Sequence, residues 1–243
     1  MGEQPRDSRQ QYDRALSIAL IVAVTGLTGT ALHREMRASR TPDGLPSEPP
    51  RYVQDWEQLA VAGTRIGRPD AKITIIEFAD LECPACRGYQ TILEGVQRRH
   101  RSEVAIVFMH FPLEYHQMAV PAARALECAA EQYAFDEFLR AIYAKQESLR
   151  VRPMRVYGQD AGIPDLDRFE TCRADTTAIP AVDAGLAIGK RIPVRFTPTI
   201  IVNGWLYPYP PQKIVLEAMI DTLLAGGRPA ASTGQEPGRQ GSR

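Results

Sequence analysis

The chain has 243 residues, 29 Lys and Arg against 29 Asp and Glu, and 44% hydrophobic residues. That composition excludes wholesale disorder, and the balanced charge leaves no basic excess for nucleic-acid phosphates, so no nucleic-acid partner is expected. Four cysteines are too few for a disulfide-dense scaffold, and the length admits one large domain or two small ones.

Residues 1–14 are polar, and Ala15 to Leu32 then run without a charge between Arg14 and His33-Arg34. The run is just short of the ~20 residues that cross a bilayer as a helix. It reads as a transmembrane anchor or as a signal peptide removed at Gly29-Thr30-Ala31, and the long polar stretch ahead of it favours the anchor. Arg6, Arg9 and Arg14 before the run balance Arg34, Arg37 and Arg40 after it, so charge leaves the orientation open. Residues 33–60 read as a Pro-rich linker, and 226–243, rich in Gly, Pro, Ser and Gln, as a disordered tail.

The folded part is expected over 61–225. Ile73 to Phe78 is a β-branched apolar run, followed by a helix to about Arg99 and a second apolar run from Val104 to Met109. This is a βαβ unit. Thr199 to Val202 predicts a third strand, Asn203-Gly204 a hairpin turn, Trp205 to Tyr207 a fourth strand, and Pro211 to Leu224 a closing helix. Between the halves, about 113–196, the spacing favours helices over 119–130, 135–147, 153–162, 166–172 and 178–190, with Asp165 as an N-cap. The pattern is an α/β fold, a βαβ–ββα sheet domain with a helical insertion.

Cys83-Pro84-Ala85-Cys86 stands at the strand-to-helix junction. The first cysteine of such a pair lies at a helix N-terminus, where the dipole and free N–H groups stabilise a thiolate. Pro84 is harmless there, because its missing N–H would be unpaired anyway. One turn on, the second thiol is placed to attack a mixed disulfide on the first. Cys83 is thus the expected nucleophile and Cys86 the resolving thiol. Half a zinc site is the competing chemistry, but it needs two further ligands, and His110 and His116, separated by Pro112, fit poorly. No metal is expected.

These features resemble the DsbA-like branch of the thioredoxin superfamily. The resemblance is carried by Ile73–Arg87 (ITIIEFADLECPACR), His110–His116 (HFPLEYH), Ala122–Ala130 (AARALECAA), Phe169–Cys172 and Thr197–Gly204 (TPTIIVNG), which together span Ile66 to Leu224. It implies a thioredoxin fold and a cis-proline at Pro198, which turns the Thr197 backbone outward to pair with an extended substrate. It also implies that Glu77 is a buried acid beneath the disulfide, shuttling the proton of Cys86. An ordinary edge glutamate is the alternative. Cys128 and Cys172 are either buried small residues or, as in some relatives, a second disulfide within the helical region. His110 and His116 flank a Phe-Pro-Leu turn as capping or packing residues, and Tyr207 to Pro211 makes a turn.

Two departures stand out. The inner dipeptide has no histidine to support the Cys83 thiolate, which argues against a very high reduction potential. Phe196 stands where many relatives carry glycine.

The resemblance implies a membrane-anchored, extracytoplasmic (periplasmic) thiol–disulfide oxidoreductase that exchanges the Cys83–Cys86 disulfide with cysteines of exported polypeptides, as an oxidase in the favoured direction. It needs no cofactor and takes a membrane redox partner of DsbB or vitamin-K-epoxide-reductase type. A reductase or isomerase, and a non-catalytic membrane-tethered binding module, are the alternatives.

Overall fold

The structure, a computed structural model, describes residues 50–207 and 209–227. The expected anchor or signal at 15–32 and most of the tail lie outside the described residues. Among those described, no helix is long and apolar enough to cross a membrane.

Among the described residues six strands form one sheet: β1 (Arg51–Tyr52), β2 (Thr64–Ile66), β3 (Ile73–Ala79), β4 (Val104–His110), β5 (Thr199–Val202) and β6 (Trp205–Tyr207), in the order β1-β6-β5-β3-β4-β2. Only β3 and β4 run parallel, with Ile73 opposite Val104 and Ala79 opposite His110; every other pairing is antiparallel. Helix α2 (Pro84–Arg99) makes the crossover between the parallel pair. A parallel central pair covered on both faces calls for continuous apolar strands, and every residue of β3 and β4 is buried.

Alternation along β3 assigns the two faces. Ile73 and Ile75 pack with Tyr89, Leu93 and Val96 of α2 and with Leu216, Met219 and Ile220 of α8 (Lys213–Leu224). Ile76 and Phe78 point the other way, against Leu59 and Ala60 of α1 (Trp56–Ala60) and Ile192, which follows α7 (Pro180–Arg191). The helical insertion adds α3 (Ala119–Ala130), α4 (Phe135–Ala144), a 3-10 turn (Gln146–Ser148), α5 (Met154–Asp160) and α6 (Leu166–Ala174) before α7. Its core, including Phe138, Ile142, Tyr157 and Phe169, is continuous with Cys83 and Cys86.

Local signals account for several boundaries. The Asp165 side chain accepts hydrogen bonds from the N–H groups of Asp167 (3.1 Å) and Arg168 (2.9 Å), capping α6. Asn203 and Gly204 turn the β5–β6 hairpin with φ of 42° and 89°, the left-handed conformation that this dipeptide tolerates. Residues 51–60, expected as linker, instead supply β1 and α1, with Arg51 paired to Leu206 and Tyr52 to Trp205. Cys128 and Cys172 are joined by a disulfide that ties α3 to α6, with Cα atoms 5.8 Å apart.

Helix α7 lies so close to the end of β4 that a Cβ on Gly185 would sit 2.0 Å from the His110 carbonyl oxygen. Neither partner is a flexible side-chain tip, so relief requires the backbone to move. Gly185→Ala is therefore expected to cost about 3 kcal/mol, seen as a lower urea midpoint at unchanged m-value; a midpoint within error of wild type would show that the helix shifts freely.

Candidate active site

The site grows out of the end of β3. Cys83 is the N-cap of α2 with extended backbone (φ −75°, ψ 118°), and Pro84 opens the helix. Both thiols are buried, Cys86 completely and Cys83 to 7% exposure. The Thr197–Pro198 peptide bond is cis, and the Cys83 thiol donates to the Thr197 carbonyl at 3.4 Å. The chain thus brings together three of the expected pieces, Cys83, Cys86 and the Thr197-Pro198 loop, from positions over a hundred residues apart.

Their surroundings split the two sulfurs. Cys83 is drawn down to about 5, chiefly by the hydrogen bond from the Cys86 thiol. The Thr197 hydroxyl and the backbone N–H groups of Cys86 and Ala85 also favour its thiolate, while burial opposes it. Cys86 is pushed well above the ordinary thiol range, first by burial, then by its bond to Cys83 and by the charge on Glu77. The groups that lower Cys83 thus lie outside the inner dipeptide's side chains, with the Cys86 thiol first among them.

Glu77 lies mid-strand in β3 between Phe108 of β4 and Ile200 of β5, so it is not an edge residue. It shares the face of Ile73 and Ile75, the one α2 covers, and is 1% exposed. Neither carboxylate oxygen finds a hydrogen-bond partner among the described groups. Burial, helped by the Cys83 charge, raises it to about 8. A carboxyl held near neutrality beside a thiol can both take and give a proton.

Other contributors carry no local signature of function. Asp80, with a side chain wholly buried, accepts from the N–H groups of Glu82 (2.7 Å) and Leu113 (2.8 Å) and meets His116 Nδ1 at 2.7 Å. Its own N–H points at the Cys86 sulfur, 3.4 Å away. The bond to Glu82 is an Asx turn, for which Asp two residues ahead of its partner is the sequence signal. His116 thus braces the redox loop. His110 meets Glu127 at 2.9 Å.

Gln146, in the 3-10 turn of the insertion, donates to the carbonyls of Leu81 (2.8 Å) and Cys83 (3.0 Å). Glu147 pairs with Arg87 at 3.0 Å, and Arg150 with Glu82 at 2.7 Å. Tyr143 of α4 buries its hydroxyl without a hydrogen-bond partner, and burial raises it further from ionisation. The Cys128–Cys172 disulfide is elsewhere, beside a cavity of about 640 Å³ lined by Arg124, Glu131 and Arg168 among others. No cluster of three or more His, Cys, Asp or Glu side chains among the described residues converges as metal ligands do.

A dithiol at a helix start, facing a cis Thr-Pro backbone at the end of this mixed sheet, defines a thioredoxin-type dithiol site. Residues 60–222 match the family model described as Thioredoxin, and the chain belongs to that family. BdbD of Bacillus subtilis, in its oxidised form, shares the fold at a TM-score of 0.62 with 18% identity, covering 74% of this chain and 98% of that one. DsbA2 of Pseudomonas aeruginosa is 28% identical at a TM-score of 0.51, covering 66% and 93%. The Na+/H+ antiporter NhaA 3 of Salinispora tropica is 33% identical over 172 residues, 70% of this chain but 26% of that protein. The chain spans about a quarter of the length of the curated relatives it matches, and the transport in their names is said of them.

The proton on Glu77 gives a pH dependence of defined sign. The folded carboxyl titrates at about 8 and an unfolded glutamate near 4.5. Between those values the unfolded chain releases a proton that the folded chain keeps, so stability falls as pH rises through this window. In the reduced protein, Glu77→Gln should remove up to about 4 kcal/mol of that decline between pH 5 and pH 8, measured by urea unfolding across the range. Parallel curves for variant and wild type would place the carboxyl in contact with water.

Proposed function

We propose that the chain donates a disulfide to cysteines of exported polypeptides, acting as an oxidase on the extracytoplasmic side of a membrane to which residues 15–32 anchor it. The observation that carries this is the placement of the two sulfurs: Cys83 caps α2 and meets the Thr197 carbonyl beside the cis bond at 3.4 Å, while Cys86 is fully buried, an arrangement that draws the Cys83 thiol down and pushes the Cys86 thiol up. Stabilising a thiolate stabilises the reduced enzyme, and an enzyme with a comfortable reduced form gives its disulfide away readily. The Cys128–Cys172 disulfide supports the compartment, since such bonds persist where the surroundings are oxidising.

The residues then have defined roles. In the oxidised enzyme a client thiolate attacks the Cys83 sulfur; the Cys83–Cys86 bond breaks and Cys86 leaves with the electron pair. Glu77 supplies the proton that Cys86, too buried to stay ionised, requires. The client lies extended along Thr197 while it is tethered. A second client thiolate attacks the first client sulfur, forming the client disulfide and releasing Cys83 as the thiolate. That thiolate is favoured by the Cys86 thiol and by the Thr197 hydroxyl, a buried group that makes no other hydrogen bond among the described residues. Two electrons have then moved from client to enzyme, and a membrane partner of DsbB or vitamin-K-epoxide-reductase type removes them.

Three measurements test this reading. Alkylation of the reduced protein near pH 6 should label Cys83 at least about tenfold faster than Cys86. Cys86→Ser should accumulate mixed disulfides through Cys83, whereas Cys83→Ser should form none. The reduction potential should lie well above thioredoxin's value of about −270 mV; a value near it would reverse the direction to that of a reductase. Binding of clients that survives loss of both thiols, with no exchange in the wild type, would make the domain a tether instead.

A further inference from the structure

The loop that faces the Cys83 sulfur carries a second feature, which the exchange chemistry does not use. Phe196 directly precedes Thr197 and is 48% exposed. Its ring is nevertheless fixed, because it stacks on Tyr209 with centroids 5.3 Å apart and planes inclined by 25°. Both halves of the stack are anchored. The Phe196 carbonyl accepts a hydrogen bond from the Thr199 hydroxyl at 2.5 Å. Tyr209 leads into Pro210 and Pro211, and the Pro211 carbonyl accepts from the Tyr89 hydroxyl of α2 at 3.2 Å. The aromatic pair is therefore held from one side by the loop that carries the cis bond and from the other by the helix that carries Cys86. Rigid, half-exposed aromatic surface of this kind offers contact area at small entropic cost.

We propose that the Phe196–Tyr209 stack is a side-chain subsite that selects clients with an aromatic or large aliphatic residue directly beside the reacting cysteine. The proposal rests on the exchange reading above. A client linked to Cys83 and extended along Thr197 has its next side chain ~5 Å from those opposite it, and Phe196 is only ~3.8 Å along the chain from Thr197. A residue flanking the client cysteine is thereby brought to the exposed part of the Phe196 ring. Tyr209, in the segment expected only to turn, is thus one half of this aromatic surface.

The test uses the full chain and short peptides with a single cysteine, in two sets that place Trp, Ser or Lys immediately before or immediately after it. Single-turnover formation of the mixed disulfide from the oxidised enzyme gives a specificity ratio within each protein, so any overall loss from imperfect folding cancels. In one of the two sets, wild type should favour Trp over Ser by about tenfold. The ratio should fall to near unity in Phe196→Ser and part of the way in Tyr209→Ala. A wild-type ratio near one in both sets, a preference for Lys, or a Trp preference kept by Phe196→Ser would each overturn the subsite while leaving disulfide exchange intact. Failure of the wild type to exchange with any peptide, or with dithiothreitol, would instead remove the exchange reading itself.

Discussion

Two sulfurs one helical turn apart share a single proton, and the rest of the site decides which of them holds it. Cys83 is the N-cap of α2, where the N–H groups of Ala85 and Cys86 in the first turn favour its thiolate. Cys86 is enclosed by the sheet and the insertion core, where ionisation means giving up solvation with little in return. The asymmetry comes from placement along one helix, not from any special residue between the cysteines. That is why Pro-Ala can fill the inner positions: the chief donor is the Cys86 thiol, joined by Thr197 and by the backbone N–H groups of Ala85 and Cys86, and none of these is an inner side chain.

A buried carboxyl with no hydrogen-bond partner is costly, and Glu77 is one. Its burial in the middle of the sheet, between Phe108 and Ile200, keeps it protonated into the neutral range. Asp80, three residues further on, is equally buried but fully occupied by two backbone N–H groups and His116. The contrast separates the two acids. One is fastened and holds the loop; the other is left unpaired and can exchange its proton.

How much of this was legible in the sequence depended on distance along the chain. The βαβ run, the Asn203-Gly204 turn, the Asp165 cap and Cys83 as the start of α2 are local, and local rules found them. The short edge strands β1 and β2 escaped, because two or three residues carry no periodicity; Arg51-Tyr52 becomes a strand only by pairing with Trp205 and Leu206. The resemblance pointed to Glu77 and to the Thr197-Pro198 loop, but the isolation of the Glu77 carboxylate is a property of the packed sheet. Gln146 and the Asp80–His116 contact had no signal of their own. Their partners lie 36 to 65 residues away, and glutamine or histidine in such positions reads as surface or capping.

Gln146 grips the carbonyls on both sides of Glu82, and Glu147 and Arg150 hold the flanking side chains. The redox loop is therefore stapled to a turn that belongs to the helical insertion. On the exchange reading proposed above, a long polypeptide linked to Cys83 and diffusing at its far end would tug on that sulfur. With a slack loop the tug would drag Cys83 out of line with Cys86. Here the load passes across the staple into the insertion, whose own ends are cross-linked by Cys128–Cys172. On that reading the insertion is a frame that keeps the Cys83 loop in line with Cys86 under load, because the contacts of Gln146, Glu147 and Arg150 join the loop to it.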